Sequence, residues 1–276
     1  MTSTAERAAP RPQLETPVLK FDGVELSFEG VKAIDGVTFT VRGNELFAII
    51  GPNGAGKTSI FNVLSGVYRP QSGRVTFADT DLIGKRPDEI AQLGIARTFQ
   101  NIELFANLTV LDNLMLGRHH HNAYGVLSSF AWLGRARRCE VLNRAAVEDI
   151  IDFLELEQWR RLPVGLLPYG VQKRVELGRA LAMGPKLLLL DEPVAGMNLE
   201  ETEDMARFIL DVCDELRIPI VMVEHDMGLV MDLADRVLVV DFGRPICVGT
   251  PWEVSTNPDV IRAYLGQQHR TSDGAV

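Results

Sequence analysis

The stretch Gly51-Pro52-Asn53-Gly54-Ala55-Gly56-Lys57-Thr58 constrains this chain most, because it fits G-x-x-x-x-G-K-[ST] in a specific setting. An apolar run, Leu46-Phe47-Ala48-Ile49-Ile50, precedes it and reads as a buried strand. Ser59-Ile60-Phe61-Asn62-Val63-Leu64-Ser65 follows and reads as a helix. Strand, glycine loop and helix in this order commit the chain to an α/β arrangement. The three glycines let the backbone curl so that successive N–H groups face one centre, and the helix N-terminus adds its partial positive charge. Lys57 can then reach the β- and γ-phosphates of a nucleotide, and the Thr58 hydroxyl offers a ligand to Mg²⁺. At ordinary residue usage the four specified positions match by chance in about one chain in a hundred of this length. The flanking strand and helix lower that further, so the loop predicts nucleotide binding rather than a merely tight turn.

The rest of the chain alternates in the manner the loop requires. Leu19-Phe21, Val37-Val41 and Val75-Phe77 read as short strands separated by Gly and Asp turns. From about Leu108 to Leu162 the pattern turns helical. Thr109 with Asp112 three residues on is an N-cap with an acid in the first turn, and Val147, Ile150, Ile151 and Leu154 form an apolar stripe within Val141–Leu156. Leu187-Leu188-Leu189-Leu190 reads as a strand, Glu200 to Leu216 as a helix, and Ile218 to Val223 as a strand. Asn257 with Pro258 marks a further helix start. Apolar strands alternating with helices predict a mainly parallel sheet covered on both faces.

Composition excludes several classes. The net charge of −9 argues against nucleic acid as the main partner, which calls for a basic face. Cys139, Cys213 and Cys247 are far apart and match no metal or redox spacing, so they read as buried structural thiols in a reducing compartment. No apolar run approaches the roughly 18 residues needed to span a bilayer. Met1 to Pro17 is polar and contains prolines, and it predicts a disordered tail rather than a signal segment.

Three further features surround the loop. Leu187 to Leu190 runs into Asp191-Glu192, the Walker B arrangement, with Asp191 placed to hold Mg²⁺ and Glu192 placed to orient or deprotonate an attacking water. Gln100 ends the strand expected over Ile95–Phe99, where it could ligate Mg²⁺ or that water. Leu167-Pro168-Tyr169-Gly170-Val171-Gln172 opens a helix shortly before Asp191, and His225 stands just past the next strand. His119, His120, His121 and His269 lack such a setting and read as surface residues.

Phosphate loop, Gln, helix-opening signature, Asp-Glu and His in this order resemble the ATP-binding cassette ATPases, from about Leu19 to Gly266. Three segments are most similar to the ATPase subunits of branched-chain amino-acid importers. They are Arg97-Thr98-Phe99-Gln100-Asn101, Asp191-Glu192-Pro193-Val194-Ala195-Gly196-Met197-Asn198, and the tail Asn257 to Gly266. The resemblance implies an α/β, P-loop NTPase core with a mainly parallel sheet, an antiparallel β subdomain and an inserted helical subdomain. It divides the chain into a tail over 1–17, a cassette over 18–268 with the helical part at about 103–183, and a flexible tail over 269–276. It implies Phe28 stacked on adenine, Gly51 to Thr58 with Ser59 on the phosphates, and Thr58, Gln100 and Asp191 serving Mg²⁺. Glu192 would be the base, His225 would contact the γ-phosphate, and Ala195 to Asn198 would link two sites. Leu167, Pro168, Tyr169, Gly170 and Val171 would cap a nucleotide held by a second ATPase chain. The implied partners are that chain, two membrane-spanning permease subunits and, indirectly, a solute-binding protein, at the cytoplasmic face of the membrane.

Three positions depart from the commoner pattern Leu-Ser-Gly-Gly-Gln. Pro168 supplies neither a hydroxyl nor an N–H, and Tyr169 and Val171 replace Gly and Gln, so phosphate-facing donors are lost while Gly170 and the helix start behind it remain. This predicts pairing with a distinct ATPase chain carrying the full signature, a homodimer being the alternative. Asn198 stands where most cassettes have Asp. Soluble cassettes of translation and DNA maintenance, and lipid- or lipopolysaccharide-extracting cassettes, remain alternatives. One phosphate loop and no room for a long coiled coil between Gly51 and Leu166 favour the importer. Tyr124 to Leu133 with Arg135, Arg137 and Arg138 is apolar and then basic, as in a packed helix with a solvated end or an element lying on a bilayer.

Overall fold

The computed structural model describes residues 17–98, 102–118 and 135–264, except the side chains of 135–139. Strands β1 (Pro17–Phe28) and β2 (Val31–Arg42) form an antiparallel pair closed by Glu29-Gly30, both at positive φ, which suits the right-handed twist of a hairpin. Strands β4 (Ser72–Phe77) and β5 (Thr80–Asp81) complete an antiparallel sheet of order β2-β1-β4-β5. The second sheet has the order β10-β9-β3-β8-β7-β6. It comprises β3 (Leu46–Ile50), β6 (Ile95–Arg97), β7 (Leu187–Asp191), β8 (Ile220–Val223), β9 (Arg236–Asp241) and β10 (Arg244–Gly249). All its pairs are parallel except the edge pair β9–β10. The fold is therefore α/β, with the mainly parallel sheet and the antiparallel sheet that the sequence predicts.

Double burial explains the unbroken apolar strands. Leu46, Ala48 and Ile50 of β3 point into one core, and Phe47 and Ile49 into the other. In β7, Leu188 and Leu190 enter the first core, Leu187 and Leu189 the second. Ile220 and Met222 of β8 likewise part from Val221 and Val223. A strand with helices on one face, and the antiparallel sheet with the helices Lys57–Leu64 and Pro87–Leu93 on the other, has no polar side to show. The antiparallel sheet joins through aromatic stacking, with Phe39 between Phe21 (4.9 Å) and Phe47 (5.2 Å).

The helices are α1 (Lys57–Leu64), α2 (Pro87–Leu93), α3 (Val110–Gly117), α4 (Arg135–Phe153), α5 (Tyr169–Ala182), α6 (Leu199–Asp214), α7 (Met227–Leu233) and α8 (Pro251–Ser255), followed by a helical stretch over 258–264. Thr109 caps α3 by accepting the Asp112 N–H at 3.1 Å, and Asn257 Oδ1 accepts the Asp259 N–H at 2.8 Å, as their positions predict. Among the described residues no helix is long and apolar enough to cross a membrane.

Some boundaries differ from expectation. The helix expected over Val141–Leu156 begins at Arg135 and ends at Phe153, because Glu155 turns left-handed at φ 53°. Leu154 and Leu156 are nevertheless buried, so the apolar stripe outlasts the helix. The strand expected from Ile218 starts at Ile220, since Pro219 has no N–H to give the ladder. Cys213 is buried as expected, but Cys247 is only half-buried, because β10 is an edge strand with one side toward solvent. The side chain of Cys139, the segment 119–134, His269 and the tail beyond Tyr264 lie outside the described residues, as do residues 1–16. Pro17, placed in the tail by sequence, opens β1.

Asn113 is fully buried on α3 and holds the preceding loop. Its Oδ1 accepts the Phe105 N–H (2.9 Å), and its Nδ2 donates to Phe105 O (3.1 Å), Leu108 O (3.3 Å) and Thr109 O (3.0 Å). We expect Asn113→Ala to strand these buried groups and lower stability by about 2–3 kcal/mol, read as a shift of the urea midpoint at unchanged slope.

Candidate nucleotide site

The loop after β3 is shaped by close packing. Gly51 has φ 154°, and a Cβ there would stand 2.0 Å from Val240 O at the end of β9. Gly56 has φ 102°, and a Cβ there would meet Ala33 O at 2.3 Å. Any larger residue at either position would push the loop off the sheet end or off the antiparallel sheet. Gly56 also starts α1, which has neither a side-chain cap nor an acid in its first turn. The helix thus opens with its N–H groups and positive dipole end directed at the loop, a setting that suits an anion.

Lys57 is buried, and its Nζ donates to Gly51 O (2.6 Å) and Pro52 O (3.0 Å). Burial pushes its ammonium below the ordinary lysine value, opposed by the charges of Glu192 and Asp191. The ammonium therefore lies in the loop, where the charges of both acids at the β7 end reach it. Thr58 is exposed and Ser59 half-exposed at the start of α1. Phe28, at the end of β1, is 43% exposed and meets the Tyr68 ring edge-on at 5.0 Å, which leaves a ring face for stacking.

Asp191 ends β7 and is almost buried. Its Oδ2 accepts from Arg97 Nη2 at 2.7 Å, and Arg97 Nη1 donates to Asn62 Oδ1 (2.8 Å) and Ser65 Oγ (3.0 Å) of α1 and its end. The Arg97 guanidinium also lies 5.5 Å from the Phe61 ring. One arginine on β6 thus ties the strand end that carries Asp191 to the helix behind the phosphate loop. The carboxylate of Asp191 and the hydroxyl of Thr58 are hard oxygen donors of the kind Mg²⁺ takes, so the residues present fit that ion. Gln100, the third expected ligand, lies outside the described residues.

Glu192 follows at φ 49°, a left-handed conformation that a non-glycine residue adopts only when its surroundings hold it. Its N–H donates to Val223 O at 2.9 Å, fixing it to the end of β8. His225 is exposed beside it, with Nδ1 3.9 Å from Glu192 Oε2. Behind both lies Glu224, fully buried, whose Oε1 accepts the Val194 N–H (3.2 Å) and whose Oε2 accepts the His225 N–H (3.1 Å). Burial raises its carboxyl above the ordinary value, and the backbone donors of Val194 and His225 oppose that. Glu224 thus braces the loop after β7 against the loop after β8.

The expected cap on a second nucleotide divides in two. Leu167, Gly170 and Val171 are buried, whereas Pro168 and Tyr169 are exposed at the start of α5. The side chains of Leu167 and Val171 serve the core, which leaves Pro168, Tyr169 and the backbone to face outward. Gly170 N–H, read from sequence as a surviving phosphate donor, is engaged by Glu201 Oε1 at 3.2 Å.

Loop 51–59, Asp191, Glu192 and His225 thus lie at the ends of neighbouring strands β3, β7 and β8. The sequence reading gave no role to Arg97, Glu224, Glu201 or Tyr264. A charge at the end of an apolar strand was the available signal for the first two. Tyr264, in the stretch 258–264, lies beside the Gly51 backbone, and burial pushes its phenol up to about 12. Replacing Arg97 by Met should leave Asp191 buried without its cation and destabilise the fold by about 3–5 kcal/mol. Adding Asp191→Asn should recover most of that loss. Guanidinium melts of the two single variants and the double variant measure the coupling, and additivity would refute the pairing.

Comparison with known proteins places this arrangement. Residues 34–195 match the family described as ABC transporter, and residues 244–270 match the family described as branched-chain amino acid ATP-binding cassette transporter. The chain is 39% identical over 256 residues to the high-affinity branched-chain amino acid transport ATP-binding protein LivG of Salmonella typhimurium, covering 92% of this chain and 100% of that one. It is 37% identical to BraF of Pseudomonas aeruginosa, described in the same words, with the same coverage of both chains. Among solved structures, the ADP conformation of an ATP-binding cassette of an ABC transporter superposes with a TM-score of 0.80 at 31% identity, covering 91% of this chain and 99% of that one. A nucleotide-free cassette superposes with a TM-score of 0.78 at 30% identity, covering 90% and 99%. On fold, site and sequence together, the chain belongs to the ABC transporter family, as one of its ATP-binding cassettes.

Proposed function

We propose that this chain is the ATP-hydrolysing, energy-coupling subunit of an importer for branched-chain amino acids or related small solutes. One observation carries the reading: the uncapped start of α1 and the buried Lys57 ammonium lie within electrostatic reach of Asp191 and Glu192 at the end of β7. The solute class rests on LivG and BraF, whose names give it for those proteins. In this reading Phe28 stacks on adenine, the N–H groups of 51–59 and the Lys57 ammonium hold the phosphates, and His225 contacts the γ-phosphate. Thr58, Asp191 and Gln100 hold Mg²⁺, which when bound neutralises phosphate charge. Glu192 takes a proton from a water whose oxygen bonds to the γ-phosphorus, while the bond from phosphorus to the β–γ bridging oxygen breaks and its electron pair leaves on ADP.

The cassette would span 18–268, with the helical part at about 103–183 as an inserted unit. Two membrane-spanning subunits would place the chain at the cytoplasmic face, with a solute-binding protein acting through them. Leu167 to Val171 would close over a nucleotide on a second cassette. With Gly170 N–H engaged and Pro168 lacking a donor, that closure is weak, which favours a distinct partner cassette with a fuller signature over a homodimer.

Glu192→Gln should keep MgATP affinity and lower hydrolysis by about two to four orders of magnitude. A fall of less than tenfold in steady-state phosphate release would remove Glu192 from the role of base. For the assembly, the purified chain should turn over slowly per site, and the complex co-expressed with its permease and second cassette much faster. High turnover by the lone chain that rises with its concentration would establish a competent homodimer instead.

A further inference from the structure

The start of α5 is tied to the loop that follows Glu192 and to the start of α6, all within one chain. Tyr169 Oη donates to Ala195 O at 3.0 Å. Ala195 N–H donates to Glu192 O at 3.2 Å, so the tyrosine hydroxyl is two hydrogen bonds from the residue read as the base. Gly170 N–H donates to Glu201 Oε1 at 3.2 Å, while Glu201 Oε2 accepts the Asn198 N–H at 3.1 Å and Asn198 Oδ1 accepts the Glu201 N–H at 3.0 Å. One carboxylate therefore caps the openings of two helices, α5 and α6. The Tyr169 ring covers Gly196, its atoms 3.3–3.5 Å from where a Cβ would stand, so the ring and the loop are in close contact.

The backbone being held is strained. Glu192 sits at φ 49°, and a residue in that region stays there only while its neighbours fix it. Its N–H is fixed by Val223 O in β8, a rigid strand. Its carbonyl is fixed by Ala195, whose own carbonyl is held by Tyr169 at the molecular surface. One side of Glu192 is thus anchored to the sheet and the other to an exposed residue of the signature.

We propose that Tyr169 is a positioning residue, through which closure at the signature is transmitted to Glu192 of the same chain. The proposal rests on the reading of Glu192 as the base and of the signature as the cap on a second cassette's nucleotide. It goes further in making the tyrosine a link between sites, so that a contact made at one orients the base of the other. The Tyr that replaces Gly in the commoner signature thereby supplies a hydroxyl that Gly cannot. Glu201 keeps the two helix starts in register, so that they shift as one piece.

The test compares the full-length chain with its Tyr169→Phe variant, which loses the hydroxyl and keeps the ring. Two readouts are taken: amide exchange of the peptide spanning 192–198, and the single-turnover rate of ATP hydrolysis with protein in excess. ATP dissociation constants are measured in parallel. The variant should exchange faster in that peptide and hydrolyse about three- to tenfold more slowly, the scale of one neutral hydrogen bond, with ATP affinity unchanged within twofold. Either readout within twofold of wild type overturns the proposal. A matching loss of ATP affinity overturns it too, since Tyr169 would then be a nucleotide contact. Where the lone chain is too slow to follow, both versions are compared in the complex co-expressed with permease and second cassette. A wild-type complex without ATPase activity would sink the functional reading instead, and the exchange comparison alone then decides whether Tyr169 holds the loop.

Discussion

Burial of the central sheet on both faces is the constraint on which this protein depends. Strands β3, β7 and β8 send alternate side chains into two separate cores, so neither face can carry a polar residue without a partner. Polar chemistry is therefore displaced to the strand ends. The carboxyl ends of parallel strands all point one way, and there the phosphate loop, Asp191-Glu192 and His225 meet although they are far apart in the chain. Ligand sites of open α/β sheets form in this position for that reason.

The polar groups that do enter the interior act as cross-braces. Arg97 joins β6 to Asp191 and to the helix behind the phosphate loop. Glu224 joins the loops after β7 and β8. Glu45, fully buried, pairs with Arg236 at 3.0 Å near the other end of the sheet. Burying such groups is costly unless each finds hydrogen-bond partners, and removing one partner costs more than the pair gains over an apolar contact. Their contribution is thus to the uniqueness of the site geometry more than to net stability. Glu192, held on left-handed backbone between β8 and the following loop, shows what that rigidity supports.

The altered signature follows the same logic at the surface. Loss of Ser and Gln removes donors that would face outward, and Gly170 N–H turns inward to Glu201. In exchange, Tyr169 reaches the loop after Glu192, and Asn198 and Glu201 form a reciprocal cap at the start of α6. A neutral Asn beside the Glu201 carboxylate also avoids placing two acids together, a physical account of the residue that stands where most cassettes have Asp.

Local chemistry was legible in the sequence. The phosphate loop, the caps at Thr109 and Asn257 and the apolar runs of β3 and β7 depend on residues within a few positions of one another, and spacing alone exposes them. The mainly parallel sheet followed from the alternation of apolar strands with helices and the antiparallel sheet from the family resemblance, and both are present. Contacts between distant segments were not legible: Arg97 with Asp191, Glu224 with Val194, Glu201 with Gly170 and Tyr169 with Ala195. Each is a hydrogen bond between a side chain and a group on another element, and its formation depends on strand order and helix placement that no local pattern encodes. The inward turn of Leu167 and Val171 was hidden for the same reason, because only the packed core decides which side of a helix start faces water. The sequence by itself determined which chemistry this chain carries, and the tertiary structure decided how rigidly each part of it is held.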